Sequence, residues 1–94
     1  MEHLVVTYDV ADDGRRQRLA TLLSAYGPRV QLSVFECRLD TPKAARDLRG
    51  RIRELIDAAE DQVRVYRLSA EAANQVAVIG AREVEERADF WIVR

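Results

Sequence analysis

The sequence predicts an α+β domain in which two helices cover one face of an antiparallel sheet, on three observations. Apolar runs of strand length recur at Leu4–Val10, Arg29–Leu39 and Val63–Leu68. Between them, Leu19, Leu22, Leu23 and Tyr26, and then Leu48, Ile52, Leu55, Ile56 and Ala59, recur at helical spacing. The 94-residue length suits one domain spanning residues 1–94, small enough that association with another copy is a reasonable prior.

The first strand, Leu4–Val10, places Leu4, Val6, Tyr8 and Val10 on one face and Val5, Thr7 and Asp9 on the other. Asp12 or Asp13 serves as N-cap of a helix running to about Tyr26, where Gly27-Pro28 ends it. In Arg29–Leu39 the apolar phase slips at Val34-Phe35, which implies a bulge or burial on both faces; burial is the preferred reading. Asp40-Thr41-Pro42 starts the second helix, whose apolar face reaches Ala59. Val63–Leu68 alternates as a strand, and Gln75–Ile79 offers another after the Ser69–Asn74 connection.

If the Val30–Leu39 segment bends or divides, the order becomes a ferredoxin-like βαββαβ sandwich. The uncovered sheet face would then carry Val5, Thr7 and Asp9 with Phe35 and Cys37, an apolar patch suited to a homodimer through that face. Asp89–Val93 adds an extra C-terminal strand within an extension, residues 80–94, expected to pair at the dimer or partner interface.

The composition excludes several classes. Net charge is −1, which argues against a polybasic nonspecific binder, although the basic residues are fourteen arginines and one lysine. Arginine grips phosphate bidentately, so Arg15, Arg16, Arg18 and Arg29 are candidates for a local anion site. A coding preference for arginine is the plainer explanation for most of the fourteen. The single Cys37 leaves no disulfide within the chain and reads as packing. The N-terminus shows no export signal and no apolar run approaches the ~20 residues of a membrane span, so a cytoplasmic location is expected. A phosphate-cradling glycine loop is also absent.

Chemistry concentrates at Tyr8–Leu19, where Asp9 closes an apolar run and Arg15, Arg16 and Arg18 open the following helix. A lone carboxylate beside guanidinium groups suits a metal ion facing a phosphate, and a twofold dimer would repeat it. The plain reading of Asp9 is a turn cap. Phe35 reads as core or interface, His3 as solvated, and Arg46, Arg49, Arg51 and Arg53 as a solvated helix face balanced by Asp47, Glu54 and Asp57.

Tyr8-Asp9-Val10 with Asp13, Arg15–Leu19, Tyr26-Gly27 and Arg29–Cys37 together resemble the CRISPR-associated protein 2 family, small ferredoxin-like homodimers of the CRISPR adaptation machinery. The resemblance runs the whole length, with the two blocks between Tyr8 and Cys37 most specific. It implies that Asp9 is the metal-binding and catalytic carboxylate, with Tyr8, Arg16, Arg18, Arg29, Ser33 and Phe35 as supporting or phosphate-binding residues. The implied cofactor is Mg2+, with Mn2+ as the alternative. The implied function is an antiviral-defence adaptor that bridges dimers of the CRISPR integrase, CRISPR-associated protein 1, and binds duplex DNA during spacer acquisition. The alternative is a magnesium-dependent endonuclease on single-stranded RNA or double-stranded DNA. A toxin-type ribonuclease shares the opening Tyr-Asp motif, but the Gln31–Cys37 block argues against it.

Overall fold

A computed structural model describes residues 1–80. The elements are β1 (Glu2–Asp9), α1 (Asp13–Ser24), β2 (Arg29–Gln31), β3 (Val34–Leu39), α2 (Pro42–Leu55), β4 (Gln62–Leu68) and α3 (Ala70–Ala73). The strands form one antiparallel sheet in the order β2-β3-β1-β4, the ferredoxin-like arrangement.

Both long helices begin where the sequence places their caps. The Asp12 carboxylate accepts from the Arg15 amide at 2.8 Å, and the Thr41 hydroxyl accepts from the Ala44 amide at 3.0 Å with Pro42 opening the helix. Caps of this kind contribute about 1 kcal/mol each. Leu19 and Leu23 from α1, and Ala45, Leu48 and Ile52 from α2, pack on Leu4, Val6, Tyr8, Phe35, Cys37 and Leu39 of the sheet. Gly50 sits in α2 with nothing within 4 Å of where a Cβ would stand, so this helix carries a residue about 1 kcal/mol less favourable than alanine with no packing reason.

The structure corrects four expectations. The Arg29–Leu39 segment does divide, as the ferredoxin-like order requires, at Leu32-Ser33 into β2 and β3, with a register shift between Arg29 and Gln31. Burial on both faces therefore does not explain the phase slip: Leu32 is 60 % exposed, and the slip marks the passage from one strand to the next. Phe35 and Cys37 do not lie on the uncovered face. They pair with Val6 and Leu4, and directly opposed residues share a face, so both turn toward the helices.

At α2, the helix ends at Leu55 because Ile56 turns extended, leaving Ala59 in the following turn. Gln75–Ile79 forms no strand; α3 occupies Ala70–Ala73 and residues 76–79 are irregular. The expected strand at Asp89–Val93, and the extension beyond residue 80, lie outside the described residues.

Candidate functional site at the end of the first strand

The helix-free face of the sheet is built from alternate residues of three strands. His3, Val5, Thr7 and Asp9 of β1 stand beside Arg38, Glu36 and Val34 of β3 and beside Leu68, Tyr66, Arg64 and Gln62 of β4. Val5, Val34, Leu68 and the half-exposed ring of Tyr66 make its centre apolar. The Arg64 guanidinium donates to the Tyr66 hydroxyl at 3.3 Å and to Gln62 Oε1 at 3.1 Å. At the end away from Asp9, α3 and Val76 close over His3, Pro28, Arg38 and Leu68 to leave a cavity of about 320 Å3.

Asp9 ends β1 on this face, exposed and opposite Gln62. Among the described residues its carboxylate has no hydrogen bond or ion pair, unlike both acids that follow it. Asp12 caps α1 and Asp13 pairs with Arg16. No three His, Cys, Asp or Glu side chains among the described residues are grouped to hold a metal. Within one copy Asp9 would therefore offer a metal only a single carboxylate. Magnesium takes one or two carboxylates and fills its remaining positions with water, so the exposed oxygens of Asp9 suit that ion when a second copy supplies another.

The arginines behind Asp9 do different work. Arg15, expected as a phosphate ligand, is held instead by Asp61: its Nε donates to Asp61 Oδ2 at 2.8 Å and its terminal nitrogen to Oδ1 at 3.3 Å. The fully buried Asp61 side chain also accepts from the Ala11 amide at 3.0 Å and the Asp57 amide at 2.9 Å. The Arg15 guanidinium, with the two amides behind it, holds the Asp61 carboxyl well below the usual carboxylate range. Asp61 thereby joins the loop after Asp9, the first turn of α1 and the start of β4. Arg16 donates to the Val10 carbonyl at 2.8 Å and pairs with Asp13, so it too is partly committed to the loop. Arg18 is exposed and makes no hydrogen bond or ion pair among the described residues, which leaves it able to meet a phosphate.

Tyr8, Arg29 and Phe35 lie on the helix side, and Ser33 sits in the β2–β3 turn. The Tyr8 hydroxyl donates to the Leu32 carbonyl at 3.3 Å and accepts from Arg29 at 3.2 Å, while the Tyr8 amide donates to the Ser33 carbonyl at 3.1 Å. The Arg29 guanidinium stands 5.3 Å from the centre of the Phe35 ring. With Tyr8, Arg29 and Phe35 all under 9 % exposed, these side chains fasten the β2–β3 turn to β1 and are too buried to bind a phosphate directly.

Sequence reasoning missed Asp61, because nothing local marks a carboxylate as buried when its cation lies 46 residues away.

Cys37 supports the packing reading. Burial pushes its thiol up to about 11, so at pH 8 only about one thiol in a thousand is ionised. A colorimetric disulfide reagent is expected to react with the native protein at least tenfold more slowly than with the urea-unfolded chain; equal rates would show the thiol is open.

Three comparisons bear on these features. The profile of the family described as CRISPR associated protein Cas2 matches residues 1–76. The chain is 49 % identical over 88 residues to the CRISPR-associated endonuclease Cas2 2 of Thermus thermophilus, covering 94 % of this chain and 92 % of that protein. It is 45 % identical over 76 residues to the CRISPR-associated endoribonuclease Cas2 3 of a Synechocystis species, covering 81 % and 82 % respectively. Among solved structures, a chain of a partial Cas6-RT-Cas1–Cas2 complex superposes with a TM-score of 0.72 at 36 % identity, over 84 % of this chain and 91 % of that one.

Proposed function

The chain belongs to the Cas2 family of CRISPR-associated proteins, and from that membership we propose that it acts in spacer acquisition as a homodimeric adaptor. Two copies join through the helix-free sheet face, and the dimer bridges dimers of the CRISPR integrase while duplex DNA lies along it. The observation that carries this reading is the bare face itself. An apolar centre of Val5, Val34, Tyr66 and Leu68 rimmed by Asp9, Glu36 and Arg38 has the make-up of an interface rather than of a solvated surface. The solved relative assembled with Cas1 supports the partner class. Residues 80–94 are assigned in this reading to the dimer or integrase contact.

A second reading, hydrolysis, is favoured by the unpartnered Asp9 and by the nuclease names of the relatives. Face-to-face pairing would bring one Asp9 from each copy toward the twofold axis, where the two carboxylates would hold Mg2+ or Mn2+. Such an ion, when bound, polarises a phosphodiester and helps to deprotonate water. Arg18, one turn into α1, makes no hydrogen bond or ion pair among the described residues and would offset charge on phosphoryl oxygens. His3 does not serve as base, since it lies six residues and about 20 Å back along β1.

The experiment that separates the two is spacer acquisition with purified integrase, comparing the wild type with Asp9→Ala. Acquisition is expected to persist at about the wild-type level while magnesium-dependent cleavage falls at least a hundredfold and sedimentation still shows a dimer. Loss of acquisition with the dimer intact would overturn the adaptor reading. A wild-type chain that sediments as a monomer at micromolar concentration would overturn both.

A further inference from the structure

We propose that one flank of α2, lined by Arg46, Arg49 and Arg53, is a docking track for the sugar-phosphate backbone of a nucleic-acid duplex. The proposal rests on the duplex-binding reading above and names a surface for it that lies away from Asp9.

At 3.6 residues per turn, Arg46, Arg49 and Arg53 fall within about 60° of arc, beside the buried stripe of Ala45, Leu48 and Ile52. The acids of the helix stand elsewhere: Asp47 and Glu54 lie about 80–100° round the helix from Arg46. Asp47 is already engaged, accepting from Lys43 at 2.9 Å. Asp57, four residues beyond Arg53, accepts from the Ala59 amide. The Lys43 hydrogen bond, with help from the Arg46 charge, holds the Asp47 carboxyl below its ordinary range, but among the described residues no ion pair joins Arg46, Arg49 or Arg53 to Asp47, Glu54 or Asp57. Among the described residues Arg46, Arg49 and Arg53 make no hydrogen bond or ion pair. Their mutual spacings of three, four and seven residues put like charges side by side, an arrangement that weakens a helix with nothing to offset it.

The same surface carries Gly50, four residues after Arg46 and three before Arg53, with open space where a side chain would stand. A helix that tolerates both like-charge crowding and a glycine at one place is fitted for something that neutralises the charge and approaches closely. A phosphate backbone does both.

The track also has a definite location. Arg51, about 160° round the helix from Arg53, donates to the Tyr26 hydroxyl at 3.2 Å at the end of α1. The arginine flank therefore faces away from α1. On the helix side of the sheet Arg67, opposite Leu4 in register, adds a largely exposed cation that pairs with Glu2 at 3.7 Å. From Arg46 to Arg53 the helix rises about 10 Å, the axial span of about three successive phosphates of one strand.

An acidic protein is the other polyanion to weigh. Protein interfaces centre on exposed aromatic or aliphatic anchors, and the exposed large hydrophobics among the described residues are Met1, Leu32, Tyr66, Val76, Val78 and Ile79, none of them on α2. Backbone recognition of a duplex requires no such anchor.

The test is fluorescence anisotropy of a labelled duplex against the whole chain over a salt series. Arg46→Ala/Arg49→Ala/Arg53→Ala is expected to weaken binding about tenfold or more and to make the plot of log affinity against log salt shallower by about 2 to 3. Alanine favours helix, so circular dichroism should show an unchanged or higher melting temperature. Gly50→Glu is expected to weaken binding as well without unfolding the chain. Wild-type affinity and slope in the triple variant would overturn the track alone. So would loss of integrase binding with duplex binding intact, which would assign the flank to a protein. A wild-type chain that binds no duplex even at low salt would overturn the underlying reading as well.

Discussion

Replacing Asp61 by alanine is expected to lower the melting temperature by about 10–20 °C, a loss readable by thermal circular dichroism. The substitution removes one carboxylate and strands three partners. The Ala11 and Asp57 amides lose their acceptor, and Arg15, whose side chain is only 20 % exposed, is left with the longer contact of 3.5 Å to exposed Glu60. Breaking one side of a buried ion pair is far more damaging than removing an exposed one, because the remaining charge is uncompensated.

Asp61→Asn is the sharper probe. It keeps the shape and an acceptor but gives up the charge that Arg15 requires. The folded-state carboxyl lies below the ordinary value of 3.8, so the unfolded chain takes up a proton first as pH falls. The stability contributed by Asp61 is thus fully present above about pH 4 and drains away below it. The wild type is expected to lose stability steeply on this acid limb, and Asp61→Asn, already destabilised at neutral pH, is expected to show a flatter one. Parallel acid limbs would sink the assignment. Because Ala11 is two residues from Asp9, loosening this clamp also loosens the backbone that aims Asp9.

Much of this architecture was legible in the chain, for identifiable reasons. β1, α1 and α2 each carry a full period of apolar residues, and both helices have a capping residue in front, so local pattern and tertiary burial agree. Asp9 stood out because a charge that ends an apolar run falls at the edge of a sheet. The point at which Arg29–Leu39 divides was hidden because Leu32-Ser33 turns the chain without glycine or proline. Once that turn was missed, the parity of β3 was lost with it, and a one-residue slip sends every side chain to the opposite face. Phe35 and Cys37 were misplaced for this single reason.

Gln75–Ile79 has the β-branched composition of a strand, but composition does not supply a neighbouring edge, and α3 takes up the chain before it. Arg15 was misread because a guanidinium looks the same in sequence whether it faces a phosphate or a buried aspartate.

The second large effect is expected in the segment joining α1 to β2. Gly27→Ala should destabilise the protein by about 3 kcal/mol or more, measured by urea unfolding. The reason is backbone against backbone. The Arg38 amide donates to the Tyr26 carbonyl at 2.9 Å and the Glu36 amide to the Pro28 carbonyl at 3.1 Å, which lays residues 26–28 tightly along β3. A Cβ on Gly27 would stand 1.9 Å from the Glu36 carbonyl oxygen and 2.9 Å from its carbon. No rotamer change relieves such a contact, so the strand or the segment must move.

Movement there would reach function in two directions. Pro28, Glu36 and Arg38 line the cavity on the bare face, and Arg29, the next residue in the chain, holds the Tyr8 hydroxyl. Gly50→Ala supplies the control, since the same added methyl meets nothing and relieves a helix glycine; it should stabilise by up to about 1 kcal/mol. Opposite signs for one chemical change at two glycines would separate close backbone approach from helix propensity. A Gly27→Ala protein as stable as wild type would show that β3 and the α1–β2 segment do not pack as described.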